Sequence, residues 1–185
     1  MYVRASCSKT VVNSAGISKT VNRMIIKMLK NIFLLSCALL LFSGCSIETY
    51  STKMKEADSA IQMYVDDNGL NVQAEPSGIF IIPIAAGEGD FPEIGDKVAF
   101  HYKGYFMNGE VFDSSYEKSY PLVVKLGEGQ MIKGVEEALL KMNKASKTKV
   151  VMPFYMAYKD REYAPVPPYS NLVFELELID FMKTE

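Results

Sequence analysis

Few residues in this 185-residue chain are suited to acid–base or nucleophilic chemistry. His101 is the only histidine, and strand-like alternation places it opposite the side shared by Val98, Phe100 and Tyr102. We therefore expect His101 to be a solvent-facing strand residue rather than a ligand or a base. No Gly-x-Ser-x-Gly sequence supplies a nucleophile turn. Without a second histidine or a free cysteine pair, a metal site lacks its usual ligands.

Other polar and aromatic candidates leave alternatives open when they are judged by residue type alone. The segment Gly87-Glu88-Gly89-Asp90 is too short and too acidic to favour phosphate binding. Asp113 is either part of a site or part of a turn, since aspartate and the serines after it hydrogen-bond their own backbone. Phe112 and Phe174 fit equally the core of any sheet protein. These residues gain a functional meaning only from the wider pattern of motifs.

Apolar spacing predicts an antiparallel sheet with one amphipathic helix, which is an α+β fold. The pair Asn108-Gly109 favours a tight hairpin turn. From Met131 to Met142 the period becomes helical, and such a helix is suited to cover one face of the sheet. The predicted strands are Ile79–Ile84, Lys97–Phe106, Val111–Asp113, Leu122–Leu126, Lys147–Phe154 and Leu172–Phe181.

A further helix is predicted before the sheet, from Glu48 to about Asp66, ending at Asn68-Gly69. Its apolar residues fall near helical spacing among charged and polar ones. The segment is either a spacer that lifts the domain off a membrane or a docking helix. We prefer the spacer, and we expect residues 45–77 to form it and residues 78–185 to form the folded domain.

A series of short segments between Gly87 and Phe174 resembles the FKBP family of peptidyl-prolyl cis/trans isomerases in order and in spacing. Each segment alone is weakly specific, but together they cover the chain from about Gly78 to Met182. The segments are Gly87-Glu88-Gly89-Asp90, Gly95-Asp96-Lys97-Val98, His101-Tyr102-Lys103-Gly104, Asn108-Gly109-Glu110-Val111-Phe112-Asp113-Ser114-Ser115, Leu126-Gly127-Glu128-Gly129-Gln130-Met131-Ile132-Lys133-Gly134, Met156-Ala157-Tyr158, Val166-Pro167-Pro168 and Asn171-Leu172-Val173-Phe174.

The resemblance implies a twisted sheet wrapped around one helix, and a pocket that binds proline-containing polypeptides without a cofactor or a metal. Tyr158 would direct its hydroxyl to the substrate carbonyl, and the backbone N–H of Ile132 would hold the peptide chain. The catalytic residues that it implies are Tyr102, Phe112, Asp113, Tyr158 and Phe174. The substrate-binding residues that it implies are Leu122, Met131, Ile132, Val135 and Val166.

Two positions depart from the family pattern. Val135 stands at the pocket floor, where the family usually has tryptophan or another large apolar residue, and the chain has no tryptophan. Neighbours such as Met131 or Met142 would have to fill the space. Lys159 replaces a usual glycine after Tyr158, and the loss of a permissive glycine could reshape the loop that closes over the substrate.

The sequence therefore supports two functions. The preferred one is an isomerase that assists the folding of exported proteins. The alternative is a catalytically weak or inactive binding module of the same fold in the cell envelope, and Val135 and Lys159 motivate it. The client proteins, the preferred residue before proline and the oligomeric state are not specified by the sequence.

The first 44 residues have the pattern of an export leader. Basic residues precede an apolar stretch from Ile32 to Phe42, which small residues follow before Cys45. About a dozen apolar residues are too few to span a bilayer core of about 30 Å, which favours a signal over a transmembrane helix. Met24 begins a more usual leader than Met1, so residues 1–23 are a hypothetical mis-start.

Phe42-Ser43-Gly44-Cys45 resembles a bacterial lipobox, in which the cysteine is acylated and becomes the first mature residue. The mature chain would then hold Cys45 as its sole cysteine, which excludes an intramolecular disulfide. A spectator thiol is the alternative. Two or three acyl chains would anchor the protein stably. We expect a lipid-anchored protein of the bacterial envelope, at the outer membrane and facing the periplasm or the surface.

Charge distribution argues against nucleic acid as a partner. The formal net charge is -2, from 20 basic and 22 acidic residues. Removing the six bases of the leader leaves 14 bases against 22 acids, a formal net charge of about -8. Such an acidic mature protein is poorly suited to binding a phosphate backbone.

Overall fold

The computed structural model describes residues 49–118 and 120–184, which form an antiparallel sheet with a helix on each face. The leader, the proposed start at Met24 and Cys45 lie outside these residues. Helix α1 spans Tyr50–Asp67 and helix α2 spans Lys133–Leu139. The strands are β1 (Phe80–Ala85), β2 (Lys97–Phe106), β3 (Val111–Ser114), β4 (Leu122–Lys125), β5 (Lys147–Met152) and β6 (Leu172–Met182).

Strands β2 and β6 are the longest and form the centre of the sheet. The strand order is β1-β5-β6-β2-β3, and β4 also pairs with β2. The β2–β6 ladder runs from Lys97 opposite Met182 to Phe106 opposite Leu172. Pro83 lies in β1 at the edge, where its missing N–H costs little.

The inner face of the sheet carries the main core. Alternate residues of β2 and β6, such as Phe100 and Leu178, are fully buried there. Val135 and Leu139 of α2 belong to the same cluster. Because burying a large apolar side chain contributes about 1.5–3 kcal/mol, this cluster dominates the stability of the fold.

The outer face of the sheet is covered in part by α1. Ile61 and Val65 of the helix are fully buried and form a second cluster with Phe80, Val151 and Val173 of the sheet. The helix is therefore packed on the sheet, and its role as a spacer from a membrane stays a prediction. Periodicity reveals an apolar stripe on a helix, but it does not reveal which surface covers that stripe.

The predicted α+β fold is confirmed, and the element boundaries agree closely with the prediction. Helix α2 is shorter than the predicted 131–142 because Ile132 is still extended, with φ -66° and ψ 144°. Strand β5 ends at Met152, two residues before the predicted end. Neither helix in the described part of the chain is long and apolar enough to cross a bilayer.

Candidate active site

A pocket of about 390 Å³ opens on the inner side of the sheet. It lies between β2, β3, β4, β6, the start of α2 and residues 154–171, which we call the active-site loop. Seven of the ten pocket residues predicted from the sequence line it, so the structure brings most of them together. The lining residues are Tyr102, Asp113, Leu122, Gly129, Gln130, Met131, Ile132, Tyr158, Tyr163 and Phe174.

Among the residues that the structure describes, Asp113 is the only carboxylate that lines this pocket. Its Oδ2 atom accepts a 2.6 Å hydrogen bond from the Tyr102 hydroxyl, and its Oδ1 atom accepts the backbone N–H of Ser114 at 2.9 Å. The aspartate is thus a wall residue and a turn residue at once. Burial, reinforced by the hydrogen bond to Asp113, raises the pKa of Tyr102 well above its usual value.

Three phenylalanine rings pack against one another at the pocket, and one of them, Phe174, lines it. Phe112 packs edge-on against Phe174, with ring centroids 5.6 Å apart, and it also contacts Phe106 at 5.2 Å. The Phe112 ring lies over Gly104 of β2, where an added Cβ would approach the ring to 2.5 Å. Phe112 is therefore placed behind Phe174 instead of on the pocket wall, and the absence of a side chain at Gly104 makes room for it.

Two tyrosines of the active-site loop cover one side of the pocket. The rings of Tyr158 and Tyr163 are stacked, with centroids 4.5 Å apart and planes 9° from parallel. Burial, then the nearby Tyr163 and Asp113, raises the pKa of Tyr158 to about 12. Sequence reasoning missed Tyr163, since it follows a charged stretch and no periodicity indicates how that loop folds.

Comparison with known proteins assigns the family. The family model described as FKBP-type peptidyl-prolyl cis-trans isomerase matches residues 88–179. The chain is 41% identical over 105 residues to FK506-binding protein 1 of Dictyostelium discoideum, a match covering 56% of this chain and 98% of that protein. The chain belongs to the FKBP-type peptidyl-prolyl cis-trans isomerase family.

Two further comparisons describe the extent of this likeness. FK506-binding protein 2 of Debaryomyces hansenii is 42% identical over 86 residues, which cover 46% of this chain and 64% of that protein. The crystal structure of FkpA from Escherichia coli superposes with a TM-score of 0.61 at 24% identity. That match covers 94% of this chain and 75% of the FkpA chain, and it supports the fold.

Lys159 has a backbone conformation that glycine adopts without strain. Its φ is 63°, in the left-handed region, which costs a residue with a side chain about 1–2 kcal/mol. Its N–H donates to the Phe154 carbonyl at 2.9 Å, and its carbonyl accepts the Tyr169 N–H at 2.8 Å. These two backbone hydrogen bonds offset the conformational cost and hold the loop in place.

Val135 and Val166 do not line the pocket of this FKBP domain. Both are almost completely buried and belong to the main core. Met142 is equally buried in that cluster, and Met131 packs against it as well as lining the pocket. Roles of Val135 and Val166 in substrate binding thus remain predictions from the resemblance to the family.

A second concavity, of about 540 Å³, adjoins the pocket and shares Tyr158 and Tyr163 with it. It extends past Lys133, Lys159 and Arg161. No ion pair to these three side chains occurs in residues 49–118 and 120–184. A peptide that extends from the pocket in this direction would pass these three basic groups and the carboxylates of Glu136 and Glu162.

His101 lies on the sheet face opposite Tyr102, as its alternation indicates. It is partly buried, with Nδ1 3.0 Å from Ser115 Oγ and its ring stacked on Tyr116 at 4.7 Å. Within the described residues, no group of three or more histidine, cysteine or acidic side chains could hold a metal ion. His101 therefore packs as a strand residue, away from the pocket.

Proposed function

We propose that this chain isomerises Xaa-Pro bonds in the pocket described above. The observation that carries the proposal is the grouping of Tyr102, Phe174 and Tyr158 around one cavity, in which Asp113 is the one carboxylate of the described residues. A proline ring is apolar and flat enough to pack between such rings, whereas the flanking peptide groups need a few fixed donors. The pocket offers both.

The reaction needs no nucleophile. Rotation about a peptide bond has a barrier of about 18–20 kcal/mol because resonance gives the C–N bond partial double-bond character. The twisted amide has lost that resonance and is less polar along C–N, so an apolar, water-poor pocket favours it over the planar amide. Catalysis then follows from binding the twisted form more tightly than the planar form.

Two donors would orient the substrate. The raised pKa of Tyr158, about 12, keeps its hydroxyl protonated at physiological pH. In the part of the chain that the structure describes, neither this hydroxyl nor the Ile132 N–H donates to a protein acceptor. We assign the Tyr158 hydroxyl to the carbonyl that precedes proline, and the Ile132 N–H to a neighbouring carbonyl of the peptide.

A binding module without activity is the second candidate, and Val135 and Lys159 are the residues that favour it. The left-handed backbone of Lys159 weighs against it, since the loop keeps the conformation that glycine would allow.

Exchange NMR on an Ala-Phe-Pro-Phe-type peptide, with and without the full chain, distinguishes the isomerase from the binding module. We expect faster cis/trans exchange that declines in Phe112→Ala. No acceleration by folded protein, across several residues before proline, would favour the binding module.

We also propose that the chain is exported and lipid-anchored, and that its clients are exported polypeptides. The leader pattern and Cys45 of the sequence support this proposal. Growth of expressing bacteria with radiolabelled palmitate should label the wild-type chain and leave Cys45→Ala unlabelled. Labelling of Cys45→Ala, or a soluble wild-type chain without label, would contradict the lipid anchor.

A further inference from the structure

Helix α1 contacts both ends of the active-site loop. The Tyr50 ring packs edge-on against Phe154, with centroids 5.5 Å apart and planes at 82°. Asp58 Oδ1 accepts a 2.5 Å hydrogen bond from the Tyr155 hydroxyl. At the other end of the loop, the Asn171 side-chain amide lies 3.5 Å from the carbonyl of Ala57 in the helix.

Phe154 connects these contacts to the pocket. Its side chain is almost fully buried, and its ring also packs edge-on against Tyr169 at 5.2 Å. Its N–H donates to Asn171 Oδ1 at 3.0 Å, and its carbonyl accepts the N–H of Lys159 at 2.9 Å. Lys159 directly follows Tyr158, so the anchored backbone is adjacent to the tyrosine of the pocket.

The helix is outside the region that defines the family. The family model begins at residue 88, whereas α1 ends at Asp67. The family pattern therefore assigns no role to α1, although the helix packs against the turn Phe154–Met156 from which the loop starts. Ile61 and Val65 make the fully buried contact of the helix with the outer face of the sheet. Tyr50 and Asp58 make additional contacts with the active-site loop.

We propose that α1 is a positioning element of the active site. Through Tyr50 and the Asp58–Tyr155 hydrogen bond it holds the base of the active-site loop, and through the loop backbone it fixes Tyr158 and Tyr163 over the pocket. Tyr50, Asp58 and Tyr155 are thus positioning residues, because none of them lines the pocket. The kinetic part of this inference rests on the proposed isomerase function, whereas the structural part does not.

The test uses the full chain and compares variants that remove contacts between α1 and the loop with variants that remove other contacts of the helix. Tyr50→Ala combined with Tyr155→Phe removes the ring contact with Phe154 and the hydrogen bond to Asp58, and it leaves the contacts of Asn171 with Ala57 and of Lys53 with Tyr169 in place. Val65→Ala removes packing on the sheet, and Gln62→Ala removes only a hydrogen bond to Asp66 within the helix. Tyr50→Phe keeps the ring and should behave as the wild type. Circular dichroism at the assay temperature verifies that each variant is folded.

We expect the double variant to lower kcat/KM about fivefold to tenfold, since small displacements of positioned groups have large kinetic effects. Amide hydrogen exchange should become at least about tenfold faster at Lys159 and Tyr169, with unchanged protection in β2 and β6. In Val65→Ala and Gln62→Ala, kcat/KM and exchange at these two amides should equal the wild-type values.

Two results would overturn the inference. One is wild-type hydrogen exchange at Lys159 and Tyr169 in the double variant. The other is an equal loss of kcat/KM in folded Val65→Ala, which would mean that the helix acts through general stability. If the wild type shows no isomerase activity, the proposed function fails, and the hydrogen-exchange comparison alone decides whether α1 holds the loop.

Discussion

The two faces of the sheet both carry a concavity lined by tyrosines, but the hydroxyl groups have different partners. On the outer face, a concavity of about 590 Å³ contains Tyr105 and Tyr116. Their hydroxyls donate to Glu175 and Glu177 at 3.0 and 2.7 Å. On the inner face, the Tyr158 hydroxyl donates to no acceptor among the described residues. The inner concavity therefore keeps a half-buried donor available for a substrate.

The surroundings of the two concavities differ as well. On the outer face Lys147 pairs with Glu177 at 3.1 Å, and Lys149 pairs with Glu175 at 3.5 Å. Such partly exposed pairs contribute at most about 1 kcal/mol each, and they satisfy one another. The inner pocket is lined by Phe174 and by tyrosines, and its Asp113 has an exposed ion pair with Lys118 at 3.8 Å. The proposed location of the site thus rests on the polar groups that lack protein partners, and not on the size of the cavity.

The largest expected effects concern the cores beneath the two faces. Phe100→Ala should lower the free energy of unfolding by about 3–5 kcal/mol, and Ile61→Ala by about 2–4 kcal/mol, because each leaves a cavity. Urea denaturation measures both. A negligible change in Ile61→Ala would mean that α1 does not pack on the outer face in solution.

Gly104→Ala should damage the inner face selectively. An added Cβ would displace the Phe112 ring that supports Phe174, and we expect kcat/KM to fall about tenfold, or about 1.4 kcal/mol in transition-state binding. Val123→Ala, an exposed change on β4, is the control and should leave kcat/KM unchanged. Wild-type activity in Gly104→Ala would mean that the position of the Phe112 ring does not affect catalysis.

Removal of one tyrosine hydroxyl from each face tests whether only the inner face contributes to activity. Tyr158→Phe should lower kcat/KM about threefold, because one neutral hydrogen bond to the substrate contributes about 0.5–1.5 kcal/mol. Tyr105→Phe, on the outer face, should not change kcat/KM. Equal losses in both variants would contradict the assignment of the inner pocket as the site.

A rise in pH should have the smallest effect on activity, and it should lower the stability only above about pH 10. With a folded pKa of about 12, Tyr158 stays protonated, so we expect kcat/KM to vary less than about twofold between pH 6 and 9. Because the folded pKa lies above the ordinary value of 10, its contribution to stability is complete below about pH 10. It is lost as the pH rises towards 12. Urea denaturation at pH 9 and 11 should show this loss in the wild type and a smaller loss in Tyr158→Phe.

The sequence predicted the sheet well because its strands follow simple physical rules. Strand β2 has the predicted bounds, since alternation from Val98 to Gly104 determines which side is buried. The docking of α1 and the position of Tyr163 were not predictable in this way. Both depend on contacts between residues far apart in the chain, such as Asp58 with Tyr155, and a local pattern does not encode them.

The central claim is that the inner pocket isomerises Xaa-Pro bonds, and one matched pair of variants tests it most directly. Exchange NMR on a single Ala-Phe-Pro-Phe-type peptide would be recorded with equal amounts of folded wild type, Phe174→Ala and Tyr105→Phe. The account predicts accelerated exchange with the wild type and Tyr105→Phe, and at least about a tenfold smaller catalytic rate with Phe174→Ala. Full activity in Phe174→Ala, or its loss in Tyr105→Phe, would contradict the claim.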